Sequence, residues 1–145
     1  MKIKIATNKN EQQDAFKVRT DVFVHEQKVP IHLEMDAHDQ DAIHFIGYLN
    51  GQAIAASRLR FLKEYGKLER ICVLKPFRNR SYGKALIHEM EIAIMEQNCH
   101  QAKLHAQTHA IPFYKRLGYE VTSDVFLDAN IPHVTMVKKL SPYTR

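Results

Sequence analysis

No stretch of the 145 residues stays apolar for the roughly 20 positions that a membrane-spanning helix needs, so neither such a helix nor a membrane partner is expected. Cysteine is scarce as well. Cys72 and Cys99 form no C-x-x-C pair, and they fall in a predicted strand and at a predicted helix end. Both read as reduced structural thiols. The opening Met1-Lys2-Ile3-Lys4-Ile5 alternates like a strand and lacks the apolar block of a signal peptide, which predicts a cytoplasmic location. Internal repeats, low-complexity tracts and linkers are also missing, and one domain over 1–145 is expected. The net charge of +5 favours an anionic ligand. The cations gather at 75–84 and 138–139, without the dense basic stripe and interleaved aromatics of a nucleic-acid module, so no nucleic-acid partner is expected. Nor is a metal, since His105 and His109 have no third ligand at a recognisable spacing.

What is present centres on residues 68–96. Leu68 to Leu74 form a β-suited run that Pro76 stops, because proline offers no ladder N–H. From Leu86 the apolar residues take helical spacing, with Leu86, Ile87, Met90, Ala93 and Ile94 on one face. Between strand and helix lie Arg78, Arg80, Lys84 and Gly83. The first N–H groups of a helix have no internal partner and carry partial positive charge, so this junction suits a phosphate. It equally suits an ordinary strand–helix turn with Ser81 as N-cap and solvated cations.

The rest of the chain fills in around that core. Residues 2–6 form a strand, and Glu11 to about Val24 a helix with Ala15, Val18, Val22 and Phe23 on one side. Residues 32–41 are polar and acidic and read as a loop. Ala42–Leu49 and Gln52–Phe61 flank Asn50-Gly51, a hairpin signal because both turn residues tolerate positive φ. After the long helix come a strand at Ala102–Gln107 and a short helix at Ile111–Leu117, opened by Pro112 and closed by Gly118. Strands at Tyr119–Leu127 and His133–Leu140 end the chain. The order predicts a mixed α/β (α+β) domain rather than a uniform doubly wound sheet.

Two segments resemble the GNAT N-acetyltransferase superfamily. The strand ending at Val73, followed by Arg78-Asn79-Arg80-Ser81-Tyr82-Gly83-Lys84-Ala85, is similar to its Arg/Gln-x-x-Gly-x-Gly/Ala acetyl-CoA loop. With Arg78 first, Ser81 stands where the family has glycine; a register starting at Arg80 fits the pattern literally, but the first keeps the expected distance from Val73. The second segment, Ala110-Ile111-Pro112-Phe113-Tyr114-Lys115-Arg116-Leu117-Gly118-Tyr119, resembles Ala-x-x-Phe-Tyr-x-x-x-Gly-Phe/Tyr. Val22 to Gln27, Ala106 to Thr108 and Ile131 to His133 look like a small bacterial branch of the superfamily.

The resemblance implies a mostly antiparallel central sheet flanked by helices, with acetyl-CoA held where the central strands splay apart. It implies acetyl transfer to a primary amine of a small molecule or peptide. Backbone groups of Ile71, Cys72 and Val73 would pair with pantetheine, with Val73 N–H facing the oxyanion. Residues 78–84 would hold the pyrophosphate, and Gln107 and Phe113 would contact the cofactor arm. Tyr114 would be the general acid that protonates the departing thiolate. Glu69 leads as general base, with His105 and His109 as replacements. The acceptor would meet Glu26, Glu34, Asp36, Asp39 and His109, although a solvated acidic loop and a salt-bridged Glu69 are the plainer readings. A homodimer is common at this size. Arg19 to Phe23 followed by Glu34, Asp36 and Asp39 also looks like acyl-homoserine-lactone synthases, and a CoA-binding regulatory domain without turnover is the non-enzymatic alternative.

Overall fold

The structure, a computed structural model, describes residues 1–141. Strand β1 (Lys2–Ile5) leads into α1 (Lys9–Arg19), which Asn8 caps by accepting the Glu11 N–H. A short helix α2 (Ile31–Glu34) precedes β2 (Ile43–Leu49), β3 (Gln52–Phe61) and β4 (Gly66–Val73). The long helix α3 (Tyr82–Glu96), β5 (Gln101–Gln107), α4 (Ile111–Arg116), β6 (Glu120–Val121), β7 (Phe126–Asp128) and β8 (Ile131–Lys139) follow. The sheet runs β1-β2-β3-β4-β5-β8-β6, with β7 also on β8, and all its pairs are antiparallel except β4–β5. No helix of the described residues is long and apolar enough to cross a membrane.

Each helix buries the stripe that its spacing dictates. Ala15, Val18 and Val22 pack on Ile46, Ala56 and Cys72 on one face of the sheet. Leu86, Ile87, Met90 and Ile94 pack on Ile54, Leu68 and Leu104 on the other. At the start of β4 the helix lies so close that a Cβ on Gly66 would overlap the Ile94 side chain. The hairpin forms as expected, with positive φ at Asn50 and Gly51, and Gly118 ends α4 at φ 98°.

Three readings need correction. The first helix does not stop near Val24. It widens into a π-helical turn, Thr20–Glu26, with Gln27 N–H bonded to Val22 O. The expected strand 119–127 breaks into β6 and β7, because Ser123 turns its hydroxyl to accept the Thr135 N–H where the ladder would continue. The acidic segment 32–41 is no open loop. It is α2 followed by a 3-10 turn, Ala37–Gln40, closed by a capping box between Asp36 and Asp39.

Buried arginines hold that segment down. Arg19 from α1 is fully buried and bonds Glu34 and Asp39, at 3.0 and 2.8 Å. Arg58 from β3 is 1% exposed and binds Asp36, Asp39 and Glu69 at 2.7, 2.9 and 2.8 Å. Arg70 from β4 reaches the backbone oxygens of Leu33 and Glu34, the Glu34 carboxylate and Asp36. Burial pushes Asp39 up, but its bonds to Arg19 and Arg58 outweigh this and leave it at about 2. The unfolded chain therefore takes up the proton first. Stability that Asp39 contributes is complete above its unfolded value of about 3.9 and disappears as pH falls towards 2. Acid unfolding followed by circular dichroism is expected to show that loss between about pH 4 and pH 2. Arg58→Met is expected to cost on the order of 3–5 kcal/mol in a urea titration at pH 7, because it strands buried carboxylates.

Candidate active site

The strands β4 and β5 pair only through Gly66↔Ala102, Lys67↔Lys103 and Leu68↔Leu104. Beyond Leu68 they part, and a cleft of about 960 Å³ opens between them. The cause lies on the other side of β4. There Ala56↔Cys72 and Arg58↔Glu69 leave Ser57 opposite both Arg70 and Ile71. This is a β-bulge, and it bends the strand away. Arg70 sits at φ 56°, a conformation unfavourable for a side chain of its size, and its guanidinium contacts to α2 hold it there. The bulge thus joins the floor of the cleft to the segment above it.

At one end of the cleft lies the turn 78–81 and the start of α3. Asn79 and Ser81 are its left-handed residues, at φ 64° and 63°, whereas Gly83 has no such requirement. Ser81 does not cap the helix through its side chain. Its left-handed backbone is the physical reason why glycine suits that position. The helix's first internal bond is Ala85 N–H to Ser81 O, so the N–H groups of 82–84 lack intrahelical partners. A Cβ on Gly83 would lie 3.7 Å from Phe113, which brings this turn against α4. Arg78 is not a free cation: Glu26 grips it bidentately at 2.6 Å, and its Nε donates to Val73 O at 2.8 Å. Arg80 lies over the Phe77 ring, 5.9 Å from its centroid. The donor set of unpaired N–H groups, Arg80 and Lys84 fits a phosphate, with Arg78 fastening the turn to β4.

Tyr114, on α4, lines the cleft with its ring edge-on to Phe113 and Tyr119. Desolvation pushes its phenol up to about 12, so it keeps its proton at neutral pH. Across the cleft, Gln107 donates to Gln27 at 2.9 Å and lies 2.8 Å from His109 Nε2, tying the end of β5 to the π-helical turn. Burial raises the Cys72 thiol to about 12, which makes it an inert core group.

The carboxylates named for the acceptor are engaged by cations. Glu26 is committed to Arg78, Glu34 is 1% exposed between Arg19 and Arg70, and Asp36 is shared by Arg58 and Arg70. Glu69 accepts from Arg58 on one oxygen and faces Arg60 and Lys67 at 3.4 and 3.1 Å on the other. Burial pushes its pKa up, but Arg58 and Lys67 prevail and hold it below the ordinary glutamate value. Sequence reading did not find Arg58, which ties these groups together, nor the buried Tyr119–Glu91–Lys138 cluster beneath α4. Their only signal was charge inside an otherwise apolar strand or helix face.

Known proteins resemble this chain in sequence and fold. The chain is 44% identical over 139 residues to an uncharacterised N-acetyltransferase of Bacillus subtilis, YjcF, across 95% of this chain and 99% of that one. An acyl-CoA N-acyltransferase from Pseudomonas aeruginosa superposes with a TM-score of 0.84 at 26% identity, covering 95% and 99% of the two chains. An aminoglycoside 6'-N-acetyltransferase solved with coenzyme A shares the fold, with a TM-score of 0.74 at 13% identity over 98% of each chain. The pattern of the acetyltransferase (GNAT) domain matches residues 6–140, and with that match over nearly its whole length the chain belongs to the GNAT acetyltransferase family.

Proposed function

We propose that the protein transfers the acetyl group of acetyl-CoA to a primary amine by direct attack, without an acyl-enzyme. The observation that carries this reading is the parted β4–β5 ladder, with the α3 N-terminus at one end and Tyr114 on its wall. Pantetheine would lie along the β4 edge at Ile71, Cys72 and Val73 and complete its hydrogen bonding as an added strand. The pyrophosphate would meet the 82–84 N–H groups, Arg80 and Lys84. Val73 O already accepts from Arg78, so the arm would use its second lone pair or neighbouring groups. The amine attacks the thioester carbon, an N–C bond forms, and the oxyanion meets the Val73 N–H. The C–S bond then breaks, and Tyr114 donates its proton to the thiolate. Because burial keeps that phenol protonated, it arrives as an acid at every physiological pH.

Isothermal titration with acetyl-CoA tests the donor. Wild type is expected to bind, and Arg80→Ala with Lys84→Ala is expected to weaken binding by at least about tenfold, since charge-assisted hydrogen bonds are worth about 1.5–3 kcal/mol each. No heat with the wild type overturns the acetyl-CoA assignment.

Tyr114→Phe tests the acid. Thiol release from acetyl-CoA is expected to slow by about 10²–10⁴ while the acetyl-CoA Kd stays unchanged. An unchanged turnover removes Tyr114 from the reaction.

A further inference from the structure

An amine nucleophile must lose a proton during attack, and the cleft offers more than one group to take it. Glu69 is the worst placed electronically. Both of its oxygens are occupied by guanidinium or ammonium groups. Accepting a proton there would break contacts with Arg58, a guanidinium that is itself 1% exposed. His109 Nε2 is engaged by Gln107. His105 is in a different situation. It is the first residue of β5 beyond the last ladder pair, Leu68↔Leu104, so it stands where the two strands separate. Neither of its ring nitrogens is hydrogen-bonded to another described residue, and the side chain is solvent-accessible from the cleft.

We propose that His105 is the general base that removes the acceptor's proton, and that Glu69 is a positioning residue that keeps Lys67 in place beside it. The assignment rests on the acetyl-transfer reading above. The groups around His105 come from several elements. Lys67 and Glu69 face it from β4, Asp128 from the end of β7 and His133 from β8. Phe126 packs edge-on at 5.0 Å and stacks in turn on His133. Desolvation, Lys67 and His133 disfavour the imidazolium, and Asp128 and Glu69 oppose them only in part, so the ring stays neutral and able to accept at pH 7.

The step balances without a further reactant. The amine nitrogen bonds to the carbonyl carbon, and the proton it carries in the adduct passes to a free ring nitrogen of His105. The C–S electron pair leaves with sulfur, which takes the Tyr114 proton. Imidazolium returns its proton through solvent and the phenolate regains one, leaving amide and thiol. An imidazole is the better match because a base works best when its pKa lies near the working pH.

Two measurements on the full chain decide it. In a histidine ring NMR titration of the protein alone, assigned with His105→Gln, the His105 ring is expected to titrate below the ordinary value of about 6.5. Lys67→Met is expected to move it up and Asp128→Asn down. Titration above pH 7 overturns the proposal. In thiol-release assays with tyramine, spermidine and Nα-acetyl-lysine as acceptors, His105→Gln is expected to lower kcat/KM by about 10²–10⁴ and to lose the acidic limb of its pH profile, with acetyl-CoA affinity unchanged. Imidazole is expected to restore part of the rate to His105→Gly, while Glu69→Gln keeps the limb. If His105→Gln keeps both rate and limb, His105 is not the base although the enzyme transfers acetyl groups. If the wild type neither binds acetyl-CoA nor releases thiol, the transferase reading fails and takes the base with it.

Discussion

Everything at the cleft depends on the departure of β4 from β5 after Leu68. A parallel pair that stayed in register would bury its own hydrogen bonds and leave no backbone for a ligand. The bulge at Arg70 and Ile71 prevents that. It also has a cost, because Arg70 must hold a left-handed backbone. The strain is offset by making the same side chain a clamp on Leu33, Glu34 and Asp36. One residue therefore opens the cleft and fastens its cover. That economy explains why the segment 31–40, which has little apolar surface of its own, is ordered at all.

The clamp belongs to a larger arrangement in which Arg19, Arg58 and Arg70 face Glu34, Asp36, Asp39 and Glu69. Removing so many charges from water is costly, and burial alone would neutralise the carboxylates. The contrary happens at Asp36, Asp39 and Glu69, whose acidities all rise because more than one cation contacts each. Such a matched set fixes geometry well and does chemistry poorly. A carboxylate surrounded by guanidinium groups is a weak base and has little charge left to attract a cationic amine.

Much of the fold was legible because its signals are local. The Asn50-Gly51 turn, the stripe along α3, Pro112 and Gly118 at the ends of α4, and Pro76 after β4 each act within a few residues. The turn 78–81 was legible as a motif, and the left-handed Ser81 gives that motif a physical basis. The misses are non-local. The acidic segment read as solvated because its counter-charges come from α1, β3 and β4, elements that sequence reading treats separately. Arg58 stayed invisible inside an apolar strand for the same reason. The π-helical turn follows from no propensity of Thr20 to Glu26; it accompanies their junction with Val29, Gln27 and the far end of β5. The split of β6 from β7 hinges on a single hydroxyl, that of Ser123.

In the proposed reaction the two protons sort by environment rather than by residue type. Tyr114 sits against Phe113 and Tyr119, where desolvation alone raises the phenol and no charge opposes it. It holds its proton until negative charge develops on the departing sulfur beside it, so donation accompanies C–S cleavage. His105 lies exposed in the same cleft, where desolvation, Lys67 and His133 lower the imidazolium and Asp128 and Glu69 oppose them. It can take a proton from an ammonium-like adduct and pass it to water. In the proposed reaction a buried acid on α4 and an accessible base on β5 keep the two proton transfers on separate groups. The arginine-bound carboxylates Glu34, Asp36, Asp39 and Glu69 then hold the segment 31–40 on β3 and β4 and stand outside the proposed proton transfers.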